Sequence, residues 1–232
     1  MPDPVRVRAM FGRIAGRYDL LNRVLSAGID QRWRRRTVEA AGPVDGRVVV
    51  DACCGTGDLS LAFAEAGATV VGVDFTPEML RIARPEKTLS GGVYAQGDAM
   101  RLPVQSQAAD VVSIAFGLRN VADRRACLAD LARVVRPGGI VLVLEFGMPK
   151  NRVTGAGYRF YFTRVLPLLG GIVSGDRAAY RYLPDTVLAW PSADELRDEM
   201  SALGLVDCGY RSLTGGIAYL HYGRVPAGGL DG

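Results

Sequence analysis

The stretch over residues 48–80 constrains the fold more than any other part of this sequence. It opens with Val48-Val49-Val50, a short β-branched run that favours a buried strand over a helix. A tight turn with Gly55 and Gly57 follows, and apolar residues then recur at helical spacing. A second strand is predicted over Thr69 to Val73. Strand, glycine turn, helix and strand together indicate the first βαβ unit of a nucleotide-binding sheet.

The polar residues of this unit indicate which nucleotide it binds. A dinucleotide pattern G-x-G-x-x-G that starts at Gly55 would need a glycine where Ser60 stands. Asp58 at the helix start would compete with a pyrophosphate for the helix amides, and with Asp51 it favours a ligand that carries an ammonium and a sulfonium. Asp74, after the second strand, suits a ribose diol. S-adenosylmethionine meets these demands. The alternatives are an NAD-dependent oxidoreductase and a turn that merely closes a βα unit.

The composition is that of an ordinary folded domain. The chain has 232 residues, of which 49% are apolar and 22% charged, with a formal net charge of +4. No Lys/Arg block is long enough for a nucleic-acid-binding arm, and no apolar run reaches the roughly 18 residues of a membrane span. We therefore expect a cytoplasmic protein without a nucleic-acid partner.

The basic cluster, the cysteines and the histidine are interpreted as structural residues rather than as functional ones. Four cysteines without a C-x-x-C pair, together with the one histidine, His221, argue against a metal site. His221 lies in the final predicted strand, so we expect it in the core or at the rim rather than as a general base. The densest basic cluster is interpreted as a solvated helix face, with a phospholipid contact as the alternative. It comprises Arg32, Arg34, Arg35 and Arg36.

Further polar residues are predicted at the same edge of the sheet. Strands are expected over 93–96, 110–116 and 140–146. Asp98 and Asn120 closely follow the first and the second of these strands. Open α/β sheets bind ligands at the carboxyl ends of their strands, and there Asp98 could accept a hydrogen bond from an adenine amino group.

The flanking segments are predicted to be mainly helical. Residues 5–41 form an amphipathic pattern, in which Asp30 is expected to cap a helix. Another helix is expected from Asp123 to Arg136, ended by Pro137-Gly138-Gly139. The aromatic and aliphatic stretch 147–191 is interpreted as a helical cover that makes an apolar substrate pocket, with extra packing as the alternative.

The last segment completes the predicted fold. A capping box, Ser192 and Glu195, opens a final helix, and two strands follow over 205–213 and 216–225. Such a hairpin fits a seven-stranded, mostly parallel Rossmann-like sheet of the α/β class I S-adenosylmethionine-dependent methyltransferases. We expect one domain over 1–232, divided into an N-terminal helical cap (1–42), a cofactor-binding half (43–146), the cover (147–191) and the final helix with two strands (192–225).

Four motifs point to a family. They are Tyr18-Asp19-Leu20-Leu21-Asn22-x-x-Leu25-Ser26-x-x-x-Asp30-x-x-Trp33, Phe116-Gly117-Leu118-Arg119-Asn120-Val121, Arg133-Val134-Val135-Arg136-Pro137-Gly138-Gly139 and Gly215-Gly216-Ile217-Ala218. With these motifs the chain resembles, over nearly its whole length, the C-methyltransferases of menaquinone and ubiquinone biosynthesis. It departs from the family pattern at Leu21, Asp30 and Arg136, where the family has Met, His and usually Lys.

The resemblance implies S-adenosylmethionine contacts at Thr56, Asp74, Asp98 and Ala99. The family often has Ser where Ala115 stands, so one hydroxyl contact is missing here. Combined with the residues of the glycine turn, the candidate cofactor-binding set is Asp51, Gly55, Thr56, Gly57, Asp74, Phe75, Asp98, Ala99 and Ala115.

The resemblance further implies a prenylated 1,4-dihydroxynaphthalene that is methylated on a ring carbon. The candidate catalytic residues are Arg119, which would stabilise the developing quinolate, and Asn120, Tyr18 and Asn22, which would orient it or relay its proton through water. The structural alternatives are that Tyr18 simply packs and that Arg119 pairs with Asp123.

The expected partner is thus a prenylated quinol, and peripheral membrane contact and a homodimer stay open. Within the methyltransferases, a benzoquinol, a sterol or another small molecule is the alternative acceptor. Outside them, the alternative is a cofactor-binding protein without catalytic activity.

Overall fold

The computed structural model describes residues 3–26, 28–149, 155, 157, 158, 164 and 186–229. Its strands are β1 (Val48–Ala52), β2 (Thr69–Asp74), β3 (Val93–Gln96), β4 (Ala109–Ala115), β5 (Val135–Phe146), β6 (Val206–Leu213) and β7 (Ala218–Arg224). They form one seven-stranded sheet in the order β3-β2-β1-β4-β5-β7-β6. β7 runs antiparallel to both of its neighbours, and the pairs from β3 to β5 are parallel. The predicted seven-stranded, mostly parallel sheet is therefore confirmed.

Helices cover this sheet. They are α1 (Pro4–Ile14), α2 (Tyr18–Ser26), α3 (Ile29–Ala41), α4 (Asp58–Glu65), α5 (Pro77–Glu86), α6 (Arg124–Val134) and α7 (Ala193–Ala202). Short 3₁₀ turns lie over Ala15–Arg17, Leu118–Asn120 and Thr214–Gly216.

The apolar strands are buried on both faces, as parallel strands between helix layers must be. Successive side chains point to opposite faces, so Val49 joins the core beneath α3 and α4 while Val50 joins the core beneath α6 and α7. Val111 and Val112 divide in the same way. The two cores hold the sheet rigid, and its strand ends can therefore position polar groups.

The N-terminal segment is helical as predicted but is divided into α1, α2 and α3, and one cap prediction is wrong. Gly28, with a φ of 76°, precedes α3, and Asp30 lies inside its first turn. Asp30 is buried, and its Oδ1 accepts a hydrogen bond from Ser26 Oγ at 2.7 Å. The left-handed backbone of a glycine starts this helix, so the carboxylate is left to make side-chain contacts.

The boundary between α6 and β5 also differs from the prediction. The helix ends at Val134 rather than Arg136, and the strand already begins at Val135 rather than Ile140. Val135 pairs with Ala109 and Ile140 pairs with Val111, so the Pro-Gly-Gly segment bulges out of the ladder. A Cβ on Gly139 would lie 2.7 Å from Asp110 O, which explains why glycine stands at this close approach. The expected turn is present, but within the strand.

The carboxyl-terminal elements follow the prediction closely. The capping box is made in full, with Ser192 N donating to Glu195 Oε2 at 2.7 Å and Glu195 N donating to Ser192 Oγ at 3.3 Å. Most of the predicted 147–191 cover lies outside the described residues. No helix of the described ranges is long and apolar enough to cross a membrane.

Candidate functional site

A cleft of about 760 Å³ opens at the carboxyl ends of β1, β2 and β4. The N-terminal helices form one wall, and the loops after the strands form the other. The residues that line the cleft include Tyr18, Gly55, Asp74, Phe75, Asp98, Ala99, Ala115 and Asn120. The structure thus brings together most of the residues that the sequence singled out.

The glycine turn is held by the carboxylate of Asp74. Its Oδ2 accepts from Gly55 N at 2.8 Å and its Oδ1 accepts from Thr76 N at 2.7 Å. Gly55 and Gly57 have φ values of 57° and 88°, a region in which other residues are strained. Burial raises the pKa of Asp74, partly offset by these two amides. The turn is therefore a rigid backbone cradle built around one acid, as close approach to a ligand requires.

The turn supplies a stability prediction at Gly57. Replacing Gly57 with alanine forces a side chain into the left-handed region and places its Cβ against Tyr94 Oη. We expect a loss of about 1–3 kcal/mol in the free energy of unfolding, measured by urea denaturation. Tyr94→Phe removes the nearest atom, so Gly57→Ala in that background should cost less. An equal cost in both backgrounds would show that backbone strain alone is responsible.

Asp51 lies inside β1 rather than just after it. Its two carboxylate oxygens accept from Ser60 Oγ at 2.6 Å and from Ser113 Oγ at 2.9 Å. Burial raises the pKa of Asp51 to about 6, although both hydroxyls act against this rise. Ser60, which breaks the dinucleotide pattern, is thus the residue that fixes this carboxylate.

Asp58 begins α4, as predicted, and forms an ion pair within the protein. Its Oδ1 lies 2.5 Å from Lys87 Nζ, so its charge is compensated within the protein. Burial raises the pKa of Asp58, but Arg34 and Lys87 outweigh it and bring the pKa below the usual value. Lys87 Nζ also lies 2.7 Å from Asp19 Oδ2, and Thr56 Oγ1 donates to Asp19 Oδ1. This network ties α2 to the glycine turn, and Lys87 compensates the charge of its acids.

The remaining cofactor candidates lie around the wide part of the cleft. Asp98 Oδ1 accepts from Met100 N at 2.9 Å, which orients the carboxylate next to Ala99. Ala115 ends β4 and borders the cleft. The ring of Phe75 is 38% exposed, and the guanidinium of Arg8 lies 5.6 Å from its centroid.

The candidate catalytic residues divide into two groups within the described chain. Tyr18 and Asn120 border the cleft, and Asn120 Nδ2 donates to Phe116 O at 3.2 Å. Burial raises the pKa of Tyr18, with a hydrogen bond to Asn22 acting against it. Asn22 and Arg119 are not among the cleft-lining residues.

Arg119 forms a buried ion pair with Glu145. Its Nη1 lies 2.8 Å from Glu145 Oε2 and donates to Phe116 O at 2.7 Å. The side chains are only 7% and 1% exposed, and burial raises the pKa of Glu145 against the opposing effect of Arg119. The alternative pairing with Asp123 is wrong, because Asp123 caps α6 through Ala126 N. The guanidinium is therefore fixed by a partner that the sequence did not indicate.

His221 is confirmed as a core residue. It is buried in β7, and its Nε2 lies 3.0 Å from Ala193 O. Burial lowers its pKa to about 4, so the imidazole is neutral near pH 7.

Sequence reasoning missed Arg34. The interpretation as a solvated face holds for Arg32, Arg35 and Arg36, which are exposed, whereas Arg34 is buried. The signal was present in the periodicity. The buried positions of α3 are Asp30, Trp33, Arg34, Thr37 and Ala41, the spacing of a helix face that packs inward.

The sheet with its reversed last strand and the acid-anchored glycine turn define a class I S-adenosylmethionine-dependent methyltransferase. The model of the ubiE/COQ5 methyltransferase family matches residues 3–225. The chain belongs to this family.

Individual relatives and solved structures agree with that assignment. The demethylmenaquinone methyltransferase of Thermus thermophilus is 48% identical, over 94% of this chain and 100% of its own length. The ubiquinone/menaquinone biosynthesis C-methyltransferase UbiE of Geobacter sulfurreducens is 42% identical, over 94% of this chain and 88% of its own.

The fold recurs at low sequence identity. A chain from the complex of the Haloferax volcanii Trm112 methyltransferase activator with a methyltransferase aligns with a TM-score of 0.69 at 16% identity, over 93% of this chain and 97% of that one. A methyltransferase from Thermotoga maritima aligns with a TM-score of 0.67 at 16% identity, over 94% and 99%.

Proposed function

We propose that this protein binds S-adenosylmethionine in the cleft and methylates a ring carbon of a prenylated quinol, converting demethylmenaquinol to menaquinol. The observation that carries the proposal is one cleft lined by two acids that suit a ribose and an adenine, by a phenol and by a carboxamide, with a buried guanidinium on the residue next to that carboxamide. The acids are Asp74 and Asp98, and the other groups belong to Tyr18, Asn120 and Arg119. The names of the relatives indicate the acceptor.

The residues present fit the cofactor. Asp74 holds the turn with both oxygens and still has lone pairs for a ribose diol, and Asp98 suits the adenine edge. The backbone of Gly55 and Gly57 lets a ligand approach closely, while Asp51 suits an ammonium. The bound cofactor supplies an electrophilic methyl group.

The protein's own task is to make an aromatic carbon nucleophilic. That carbon gains charge when the neighbouring hydroxyl loses its proton, and a fixed cation near the oxygen favours this state. Arg119 is preorganised for the role, because Glu145 and Phe116 O hold its guanidinium. Tyr18 and Asn120 would orient the acceptor. Asn22, which is hydrogen-bonded to Tyr18, would relay the proton through water.

Labelled methyl transfer tests the function directly. The full chain would be incubated with methyl-labelled S-adenosylmethionine and, in separate reactions, prenylated naphthoquinol and benzoquinol. We expect label on the naphthoquinol ring. Transfer to the benzoquinol alone would reassign the acceptor within the same family, as the double name of several relatives allows. Transfer to neither ring would refute the proposal.

The acceptor's tail gives a second prediction, based on the apolar 147–191 stretch as a cover. Burial of each methylene contributes about 0.8 kcal/mol, so removing one isoprene unit from a short-tailed quinol should raise KM about tenfold or more. The affinity for S-adenosylhomocysteine, measured by calorimetry, should stay the same. A KM that is independent of tail length would remove the cover's proposed role.

We also propose a peripheral contact with a lipid surface during uptake of the acceptor, since a long prenyl chain partitions into a bilayer.

A further inference from the structure

A second, smaller cavity adjoins the cleft at the glycine turn. The residues common to both cavities are Tyr18, Cys53, Gly55 and Ala115. Three charged side chains border the small cavity. Two are buried and of opposite charge, the carboxylate of Asp51 and the guanidinium of Arg34, and the third is Asp58, which pairs with Lys87. One buried acid and one buried base in a small space complement a zwitterion, that is, an α-amino acid group.

The Nε of Arg34 is poorly satisfied by the protein itself. Its side chain is 11% exposed, and its Nε lies 3.9 Å from both Asp30 Oδ2 and Asp58 Oδ2, too far for hydrogen bonds. Within the described residues, this buried Nε has no hydrogen-bond partner. Asp58 is instead in close contact with Lys87, at 2.5 Å. A buried N–H without an acceptor costs free energy, which an anionic ligand would recover.

We propose that Arg34 binds the carboxylate of the methionine end of S-adenosylmethionine, while Asp51 faces its ammonium. This inference rests on the proposed function, because it assigns one subsite of the same cofactor. Arginine suits the task, since its planar fork of N–H donors matches the two oxygens of a carboxylate. Arg34 is therefore a binding residue supplied by α3, outside the sheet and its loops.

An aromatic pair holds Arg34 in place and links it to the candidate catalytic centre. The Arg34 guanidinium lies 5.7 Å from the ring centroid of Phe116, which lies 4.5 Å from that of Phe146. Arg119 in turn lies 5.3 Å from the Phe146 centroid. Each buried arginine thus packs on one ring of the pair, Arg34 on Phe116 beside the small cavity and Arg119 on Phe146.

Calorimetric titration of the full chain with two ligands tests this assignment without turnover. S-adenosylmethionine and its decarboxylated form differ only in the carboxylate. The wild-type protein should bind S-adenosylmethionine about 30-fold or more tightly than the decarboxylated ligand. Arg34→Gln should reduce this ratio to near one by weakening S-adenosylmethionine alone. Arg34→Lys, which keeps the charge but not the fork, should give an intermediate ratio.

The matched control is Arg35→Gln, an exposed neighbour on the same helix, which should keep the wild-type ratio. The assignment is overturned if Arg34→Gln keeps the wild-type ratio, or if it weakens both ligands equally. A wild-type protein that binds neither ligand would instead refute the proposed function. If Arg34→Gln fails to fold, the ratio of Arg34→Lys decides, and an unchanged ratio counts against the proposal.

Discussion

Replacing Arg119 with glutamine is expected to lower kcat about 100- to 1000-fold while the Kd of S-adenosylhomocysteine stays within about twofold. The guanidinium is fixed by Glu145 and Phe116 O beside the cleft, so it can stabilise a developing quinolate without reorganising. Stopped-flow measurement of methyl transfer gives kcat, and calorimetry gives the Kd of S-adenosylhomocysteine. Equal losses in turnover and in cofactor affinity would move Arg119 to the cofactor site.

The same substitution leaves Glu145 buried without its partner, which costs about 3–5 kcal/mol when a buried pair is broken. The double variant Arg119→Gln/Glu145→Gln removes both charges and should recover much of this stability, measured by urea denaturation. Its turnover should remain as low as that of the single variant. If turnover recovered with stability, the role of Arg119 would be structural.

A second arginine serves as the matched control. Arg124 pairs with Glu199, but their side chains are 33% and 36% exposed. Exposed pairs contribute roughly 0–1 kcal/mol, so Arg124→Gln should change neither kcat nor stability appreciably. A large loss of turnover there would mean that general destabilisation explains both variants.

Replacing Asp74 with asparagine is expected to raise the Kd of S-adenosylhomocysteine about 100-fold or more. The carboxylate accepts two backbone N–H groups that set the glycine turn, and it is the proposed acceptor for the ribose diol. Each hydrogen bond to a charged group contributes about 1.5–3 kcal/mol, and an amide can accept with only one of its two atoms.

A ligand without the diol separates binding from folding. Wild-type protein should prefer 5′-methylthioadenosine over its 2′,3′-dideoxy form, and Asp74→Asn should not distinguish them. The exposed Asp198→Asn should keep the wild-type preference. A variant that still distinguishes the two ligands would show that Asp74 acts only on the turn.

The sequence was most informative where local chemistry decides the structure. The run at Val48-Val49-Val50, the paired glycines and the Ser192 capping box each form as expected, because period, backbone freedom and side-chain length act over a few residues. The predicted seven-stranded, mostly parallel sheet also formed, since parallel strands between helices leave few topologies.

The sequence was least informative where the role of a residue depends on neighbours that are distant in the chain. Asp58 is acidic and lies at a helix start, yet Lys87, far along the chain, compensates its charge. Asp30 looks like a cap, but Gly28 sets the helix start two residues earlier. In the sequence, Ser60 was interpreted only as a departure from the dinucleotide pattern. In the structure, its hydroxyl donates to the buried carboxylate of Asp51 and fixes it.

By itself, the sequence determined the βαβ unit, the reversed last strand and the position of most cleft residues along the strand ends. Only the tertiary structure decided that Glu145 holds Arg119 and that Arg34 faces the small cavity. The physical reason is that strand and helix patterns are set by neighbours in the chain, whereas the state of a buried charge is set by desolvation and by partners brought close in folding.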